Sequence, residues 1–586
     1  MLNFCMSCIT KVLKFLVFAT LLVVMISYVN ASQTINARMI EKNSEIYGLI
    51  DILYSLSGKA KANTNRPWTE SQARLYLSQI DRESLPEKAK ALYDNANAII
   101  NEGLKWNYDS GFGLSVGLTI TPEVYAHSDR SFDTEEEWVR SWNDRKPLLR
   151  LWFEASSGSN FYTTADLLYR YGRASNKDEY APLLDRATKD GYIGAYKIDE
   201  SQVYVKSSNY LSSQFATNIF TDTINFSFIW PNKAIFSTGG DNWNLSFNRD
   251  RLKISDSHIG SLLVDDHTDY NDYFRLSFFN PMFNYDWILL SVNNLTSKSE
   301  DRPKEAKLFM IHTLDFRIFD KVSFKLSENV MMRYEILDLG FLNPSFFFHN
   351  LNNRSLFNAL AYIEVEANLL KGFELYGQFA LDQARAPNEG DEQASSYGFS
   401  TGLEYTFLTK HGAFETYAEF LYTSPLLYRR DDIDFIKASR YYHLDCPLGV
   451  NGHIPFFEYI GYRYGSDTMT LKVGSSYYIP EICKLSSYLQ LFEHGQMSIY
   501  TSHNKDGNNE GYANILGTTP TGEVITRAFV LSLKAEGKLS KLFTCPNVTG
   551  VIEADLIASS LYNRMMKTYS NSRMDLQLSL GLSIAL

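Results

Sequence analysis

The stretch Met574-Asp-Leu-Gln-Leu-Ser-Leu-Gly-Leu-Ser-Ile-Ala-Leu586 places an apolar residue at every even position and an acidic, amide, hydroxyl or small one at every odd position. Side chains of a strand alternate faces with period 2. Met574, Leu576, Leu578, Leu580, Leu582, Ile584 and Leu586 therefore share one face, and Asp575, Gln577, Ser579, Gly581, Ser583 and Ala585 share the other. A half-buried strand of a soluble sheet and a lipid-facing strand of a membrane barrel both read this way. The connections elsewhere in the chain separate the two.

From Gly111 onward the same period recurs. Phe112, Leu114, Val116, Leu118 and Ile120 alternate with small and hydroxyl residues, and Ala359 to Leu369 alternates with Leu360, Tyr362, Glu364, Glu366 and Asn368. Tight turns stand at Gly239-Gly240-Asp241, Asn280-Pro281-Met282, Phe319-Asp320-Lys321, Lys371-Gly372 and Thr409-Lys410-His411-Gly412. Between them run polar loops near residues 253–270, 293–307, 340–357 and 383–396. Such alternation of short and long connections is the asymmetry of an outer-membrane barrel, with brief periplasmic turns and extended outer loops. A secreted sandwich has no reason to sort its loops in this way. Past the first 31 residues there is no continuous apolar run long enough for a spanning helix, which excludes a helical membrane protein. The 38 Tyr and 38 Phe suit a barrel with aromatic girdles at its two interfaces.

Lys11 and Lys14 precede an apolar run from Phe15 to Tyr28 and then Val29-Asn30-Ala31, the order of a secretory signal peptide over residues 1–31. Its removal takes two lysines and no acids, so the net charge of −11 becomes −11 − 2 = −13. That acidity argues against nucleic acid as a partner. The remaining Cys446, Cys483 and Cys545 are too few for a disulfide scaffold.

Residues 32–106 have helical texture. Glu45 to Leu56 reads as one helix, and Thr69 and Ser84 each head a capping box, with Gln72 and Glu87 three residues on. The reading is thus a membrane all-β protein: a small N-terminal helical domain over 32–106 on the periplasmic side and a transmembrane antiparallel barrel over 107–586.

Three stretches resemble the Wzi-type capsule-assembly family of outer-membrane barrels. They are Asn65-Arg-Pro-Trp-Thr-Glu-Ser-Gln72, the run from Trp230-Pro-Asn-Lys-Ala through Asp241-Asn-Trp-Asn-Leu to Asn248-Arg-Asp-Arg-Leu252, and Asn343-Pro-Ser-Phe-Phe-Phe-His-Asn350 followed by Glu374-Leu-Tyr-Gly-Gln-Phe-Ala-Leu-Asp382. Where the family usually shows Gly-Arg-Asp this chain has Asn248-Arg249-Asp250. The resemblance implies about 18 strands, an even number within the bacterial range. It further implies a periplasmic-side helical bundle, location in the outer membrane of a diderm bacterium, and a non-enzymatic role in holding surface polysaccharide. Expected partners are that polysaccharide, outer-membrane lipid and the barrel-insertion machinery; no cofactor and no metal is expected.

Sugar binding needs aromatic faces for stacking and amides or guanidinium groups for hydroxyls and acidic substituents. Phe346, Phe347, His349, Asn350 and Arg354 in one expected outer loop, Tyr428, Arg429 and Arg430 in another, and Tyr512 in a third supply both. The alternation also sends Asp315, Arg317, Lys325, Arg333, Glu364, Glu366, Glu374 and Asp382 into the lumen. Their mixed signs read as a salt-bridged lining that blocks the pore. Paired carboxylates of a glycosidase are a weaker reading, because nothing isolates two of them around one bond. Asp265 to Asp272 and Asn504 to Gly511 offer hard oxygen ligands but fit no EF-hand spacing. The alternative function is a porin-like channel for small polar solutes.

Overall fold

The computed structural model describes residues 34–586 except 109–110, 130–144, 172–178, 188–190, 195, 199, 201, 208–213, 220–225, 228–230, 293–306, 334–342, 346–356, 384–394, 430–432, 443–452, 502–517 and 542–546. The expected signal peptide lies outside the described residues. Eighteen strands close one antiparallel barrel. The first six are β1 Phe112–Ile120, β2 Leu149–Ser157, β3 Phe161–Tyr171, β4 Ala234–Gly239, β5 Trp243–Asp250 and β6 Asn271–Asn280. Then come β7 Phe283–Val292, β8 Lys307–Ile318, β9 Val322–Arg333, β10 Phe357–Leu370, β11 Phe373–Gln383 and β12 Ser396–Leu408. The circuit is completed by β13 Ala413–Thr423, β14 Thr468–Ile479, β15 Cys483–His494, β16 Val524–Lys538, β17 Val548–Asn563 and β18 Thr568–Ala585.

The terminal stretch is the closing strand. β18 pairs with β17 on one side and returns to β1 on the other, with Thr119 opposite Ala585 and Ile120 opposite Ile584. Pro122 has no N–H to give to a ladder, so β1 breaks there. The strand resumes as Glu123–His127, which pairs with Gln577–Gly581 of β18. Asp575 locks this seam: its carboxylate accepts the backbone N–H groups of Ser128 and Asp129 at 2.9 Å and meets His127 Nδ1 at 3.1 Å. The two faces sort as the period requires. Asp575, Gln577 and Ser579 are buried in the interior, whereas Met574, Leu576, Leu578, Leu580 and Leu582 are exposed on the outside. Among the described residues no helix is long and apolar enough to cross a membrane; the strands do so.

Leu580 lies near the middle of that outward apolar row. A lysine there is expected to cost about 2–4 kcal/mol if the row meets lipid near the midplane, and a lysine at Leu586, past the strand end, about 0–1 kcal/mol. Heat-modifiable gel mobility after refolding measures this. Normal folding of Leu580→Lys would remove lipid from that face.

Three helices sit at the short-turn end: α1 Glu45–Ser57, α2 Glu70–Ser78 and α3 Glu87–Ile100. Thr69 forms the expected box with Gln72. The second expected box does not form. Ser84 ends a 3₁₀ turn with its hydroxyl on Asp81 O at 2.8 Å, and Pro86 takes the cap position because its fixed φ suits a helix start. The helices share a core of Ile46, Leu49, Leu53, Trp68, Tyr76, Leu77 and Leu92 that reaches Ala413 at the start of β13. Gly372, with φ +82°, sits between β10 and β11; a Cβ there would strike Thr406 O, and its N–H donates to Ser55 O at the end of α1 at 2.8 Å. The turn thus seats the helix on the barrel rim. The short-turn end of a bacterial outer-membrane barrel faces the periplasm.

Candidate functional site: a lumen closed from both ends

The link between α1 and α2 leaves the rim and enters the barrel. Ala60 N–H donates to Asp320 O at 2.9 Å as the chain passes the β8–β9 turn, and Arg317 donates to Ala60 O at 2.9 Å and Ala62 O at 3.0 Å. Lys61 then reaches Asp256 at 2.7 Å and Glu404 at 3.3 Å. The Thr64 hydroxyl donates to Glu364, which Lys325 pairs with at 3.2 Å. Asn65 Nδ2 donates to Asp286 at 2.7 Å and to Thr313 at 2.8 Å. Arg275 pairs with Asp286 through two contacts of 2.8 and 3.0 Å and donates a third bond, of 2.6 Å, to Pro67 O. Lys61, Thr64 and Asn65 of the inserted segment are thus met by wall residues of complementary type, as burial in a dry interior favours.

The connection between β5 and β6 enters from the other side. Asn65–Arg66 and Lys253–Ile254 form a two-stranded antiparallel ladder inside the lumen. Arg66 bridges Asp51 at 2.5 Å and Asp256 at 3.0 Å. Burial alone would raise the Asp256 carboxyl, but Arg66 and Lys61 outweigh it and hold the group well below the usual carboxylate range. For Asp51 burial wins over the pull of Arg66, and its pKa is pushed up to about 6. Further along, Gln378 accepts Leu262 N–H at 2.9 Å and donates to Gly260 O at 2.8 Å.

Above this polar plug the loops form an apolar core together with inner-wall residues such as Ile288, Phe309 and Leu360. Leu252, Ile254, Leu262, Leu263 and Val264 pack with Leu183 and Ile193 from the β3–β4 connection. They also meet Ile433, Phe435, Ile436, Phe457, Tyr459 and Tyr462 from the β13–β14 connection. That connection carries a hairpin of Ile436–Tyr442 with His453–Tyr459. The barrel is therefore stoppered twice, by ion pairs near the helices and by a hydrophobic cluster beneath the outer loops.

The expected outer-loop character of 253–270 is corrected by this arrangement, because its Leu-Leu-Val run is spent inside the lumen rather than on solvent. Its acidic stretch is likewise engaged: Asp266 pairs with Lys42 and Asp272 with Arg249, both at 2.7 Å, and Asp269 with Arg170. Of the glycan candidates, Phe346, Phe347, His349, Asn350, Arg354, Arg430 and Tyr512 lie outside the described residues. Tyr428 is fully buried and donates its hydroxyl to Leu262 O at 2.6 Å; Arg429 is buried and donates to Ser498 O, also at 2.6 Å. Both brace the cap and neither is turned outward, which corrects their expected place on an outer binding surface. Asp315, Lys325, Glu364, Glu366 and Glu374 face the interior and are buried, Arg317 caps the plug backbone, and Asp382 is half-buried on β11. The Arg333 side chain lies outside the described residues.

The interior is not completely filled. A cavity of about 860 Å³ lies between α1 and the wall of β1–β3 and β13–β18. It is lined by Arg150, Lys233, Lys484 and Lys534 and by Asp166, Glu415 and Glu553.

An 18-stranded antiparallel barrel with an apolar outer row and short turns on one rim is the fold of outer-membrane proteins of Gram-negative bacteria. The likeness extends to a particular solved structure: Wzi of Escherichia coli, an outer-membrane protein involved in group 1 capsule assembly and described as a carbohydrate-binding β-barrel. It matches over 94% of this chain and 99% of that one, with a TM-score of 0.51 and 11% identity, a likeness of fold alone. OccK8 (OprE) of Pseudomonas aeruginosa matches over 81% of this chain and 98% of its own at a TM-score of 0.39 and 8% identity. OprD of the same organism matches over 82% and 95% at 0.38 and 8%. No family model and no curated protein sequence matches the chain.

Proposed function

We propose that this protein is a non-enzymatic outer-membrane barrel that binds or organises surface polysaccharide at the cell exterior. The observation that carries the reading is the double stopper: the link and the inserted loops occupy much of the barrel interior, which favours the outer loops as the working surface. The fold likeness to a carbohydrate-binding barrel is in keeping with it. Its partners in this reading are the polysaccharide and the lipid around the barrel. A channel for small polar solutes is the second reading, favoured by the water-accessible cavity beside α1.

The test is the partition of polysaccharide between cells and medium. Deleting the gene is expected to move cell-bound polysaccharide into the medium. Phe346, Phe347 and Arg354 changed together to Ala should do so in part while the barrel still folds, because each lost stacking or charge-assisted contact removes about 1 kcal/mol, repeated along a polymer. Unchanged retention after gene deletion would end the proposal, and unchanged retention in the triple variant would remove that loop from it.

A further inference from the structure

Four carboxylates stand side by side on the inner wall: Glu366 on β10, Glu374 on β11, Glu404 on β12 and Glu415 on β13. Glu374 is directly opposite Glu404 across the ladder. Glu415 is opposite Thr406, one diagonal step from Glu404, and Glu366 is opposite Tyr376, one diagonal step from Glu374. Like charges at such positions repel, and burial raises the cost of each. Lys61 is the cation among them, at 3.3 Å from Glu404 and 3.7 Å from Glu374, and it is shared with Asp256. Glu374 is wholly buried, yet among the described residues neither of its carboxylate oxygens has a hydrogen-bond partner; one oxygen of the buried Glu366 is in the same state. The four carboxyls can therefore all be ionised together only with more positive charge than Lys61 brings to them.

His258 is aimed at this ladder from the inserted β5–β6 connection. Its Nε2 lies 3.1 Å from Glu404. The ring stacks on Tyr417 with centroids 3.6 Å apart and planes 3° from parallel. Its backbone is fixed on both sides: His258 N–H donates to Glu419 at 2.8 Å, and Lys472 donates to His258 O at 2.8 Å. One ring nitrogen of His258 and one oxygen each of Glu404 and Glu415 lie within 4.8 Å of one another. Four-coordinate zinc with bonds of about 2.0–2.2 Å needs its ligand atoms roughly 3.3–3.6 Å apart, so small side-chain rotations bring the three into contact with one ion. Glu415 lines the open cavity, which supplies both an entry path and a solvent-facing fourth position.

We propose that His258, Glu404 and Glu415 form a site for a divalent transition metal ion, with Zn²⁺ the best match to one imidazole and two carboxylates. The ion neutralises the excess charge of the ladder and leaves Lys61 to Asp256 and Glu374. It also staples the inserted connection to β12 and β13, so that the metal becomes part of the stopper.

The test uses the full mature chain, purified without a polyhistidine tag, refolded in detergent and stripped with EDTA. Titration with Zn²⁺ is expected to show one site per chain, with Co²⁺ giving the visible absorption of a four-coordinate ion. Zn²⁺ should also raise the temperature of the heat-modified gel shift. His258→Gln and Glu415→Gln, each checked for folded mobility, should bind at least about tenfold more weakly. No stoichiometric Zn²⁺ or Co²⁺ binding by the parent would overturn the proposal without reference to any variant, and leave protons as the neutralising charge. Unchanged affinity in both folded variants, or binding of Ca²⁺ alone, would overturn it as well.

Discussion

Planar bilayers containing the purified protein are expected to carry no stable current, and Lys61→Ala combined with Arg66→Ala is expected to introduce flickering conductance and a lower unfolding temperature. The two cations hold the inserted link by their pairs to Asp51, Asp256 and Glu404. Removing one partner of a buried pair strands the other charge in a medium that solvates it poorly, at about 3–5 kcal/mol. Two such losses on one short segment approach the whole stability of a typical domain, which is about 5–15 kcal/mol. The barrel wall has its own continuous ladder of hydrogen bonds, so the link is the element that yields. The apolar cap under the outer loops stays in place, and the openings should therefore be brief and small. Large, steady, ion-selective openings in the parent protein would contradict the closed lumen and favour the channel reading. A double variant as silent and as stable as the parent would show that the link is held by something other than these pairs.

The wall of this barrel was legible in the sequence because a strand writes its environment at period 2. Ala359 to Leu369 and Met574 to Leu586 state which side each residue faces, and the short turns at Phe319-Asp320 and Lys371-Gly372 state which rim they occupy. The stoppers were not legible, for a physical reason. Lys59-Ala-Lys-Ala-Asn-Thr-Asn-Arg66 is polar and aperiodic, as an exposed linker is. What makes it an interior segment is the complementary polar wall, contributed by Asp286, Glu364 and Glu404 from strands hundreds of residues away. Leu262-Leu263-Val264 gave a signal that the surrounding aspartates hid: three consecutive apolar residues in a polar loop need cover. The same hiding applies to Tyr428 and Arg429, whose chemistry suits a sugar but whose side chains brace the cap. His258 showed nothing on its own, since it comes from the inserted loop and its two partners in the candidate metal site, Glu404 and Glu415, come from two different wall strands.

Arg275→Met is expected to destabilise the folded barrel by about 3–5 kcal/mol, and Arg275→Met with Asp286→Leu by clearly less. Both side chains are about 1% exposed. Arg275, on β6, gives Asp286, on β7, two contacts, and Asp286 also accepts from Asn65 and from the Ser277 hydroxyl. The single change leaves a carboxylate that has lost its charge partner in a water-poor interior, while the double change removes both charges at similar volume, which buried pairs tolerate far better. The plug is not released in the double variant, because Asn65 keeps its bond to Thr313 and Arg66 its bridge to Asp51 and Asp256. What it does lose is the Arg275 bond to Pro67 O and the bonds that Asn65 and the Ser277 hydroxyl donate to Asp286, at about 1 kcal/mol each. Urea-dependent gel mobility of refolded protein gives the three stabilities and closes a double-mutant cycle with Asp286→Leu. If the double variant is as unstable as Arg275→Met, stability here comes from packing of the arginine stem and the Pro67 contact rather than from charge compensation. An Arg275→Met that matches the parent would mean that Asp286 is already neutral, and that the plug is held by hydrogen bonds alone.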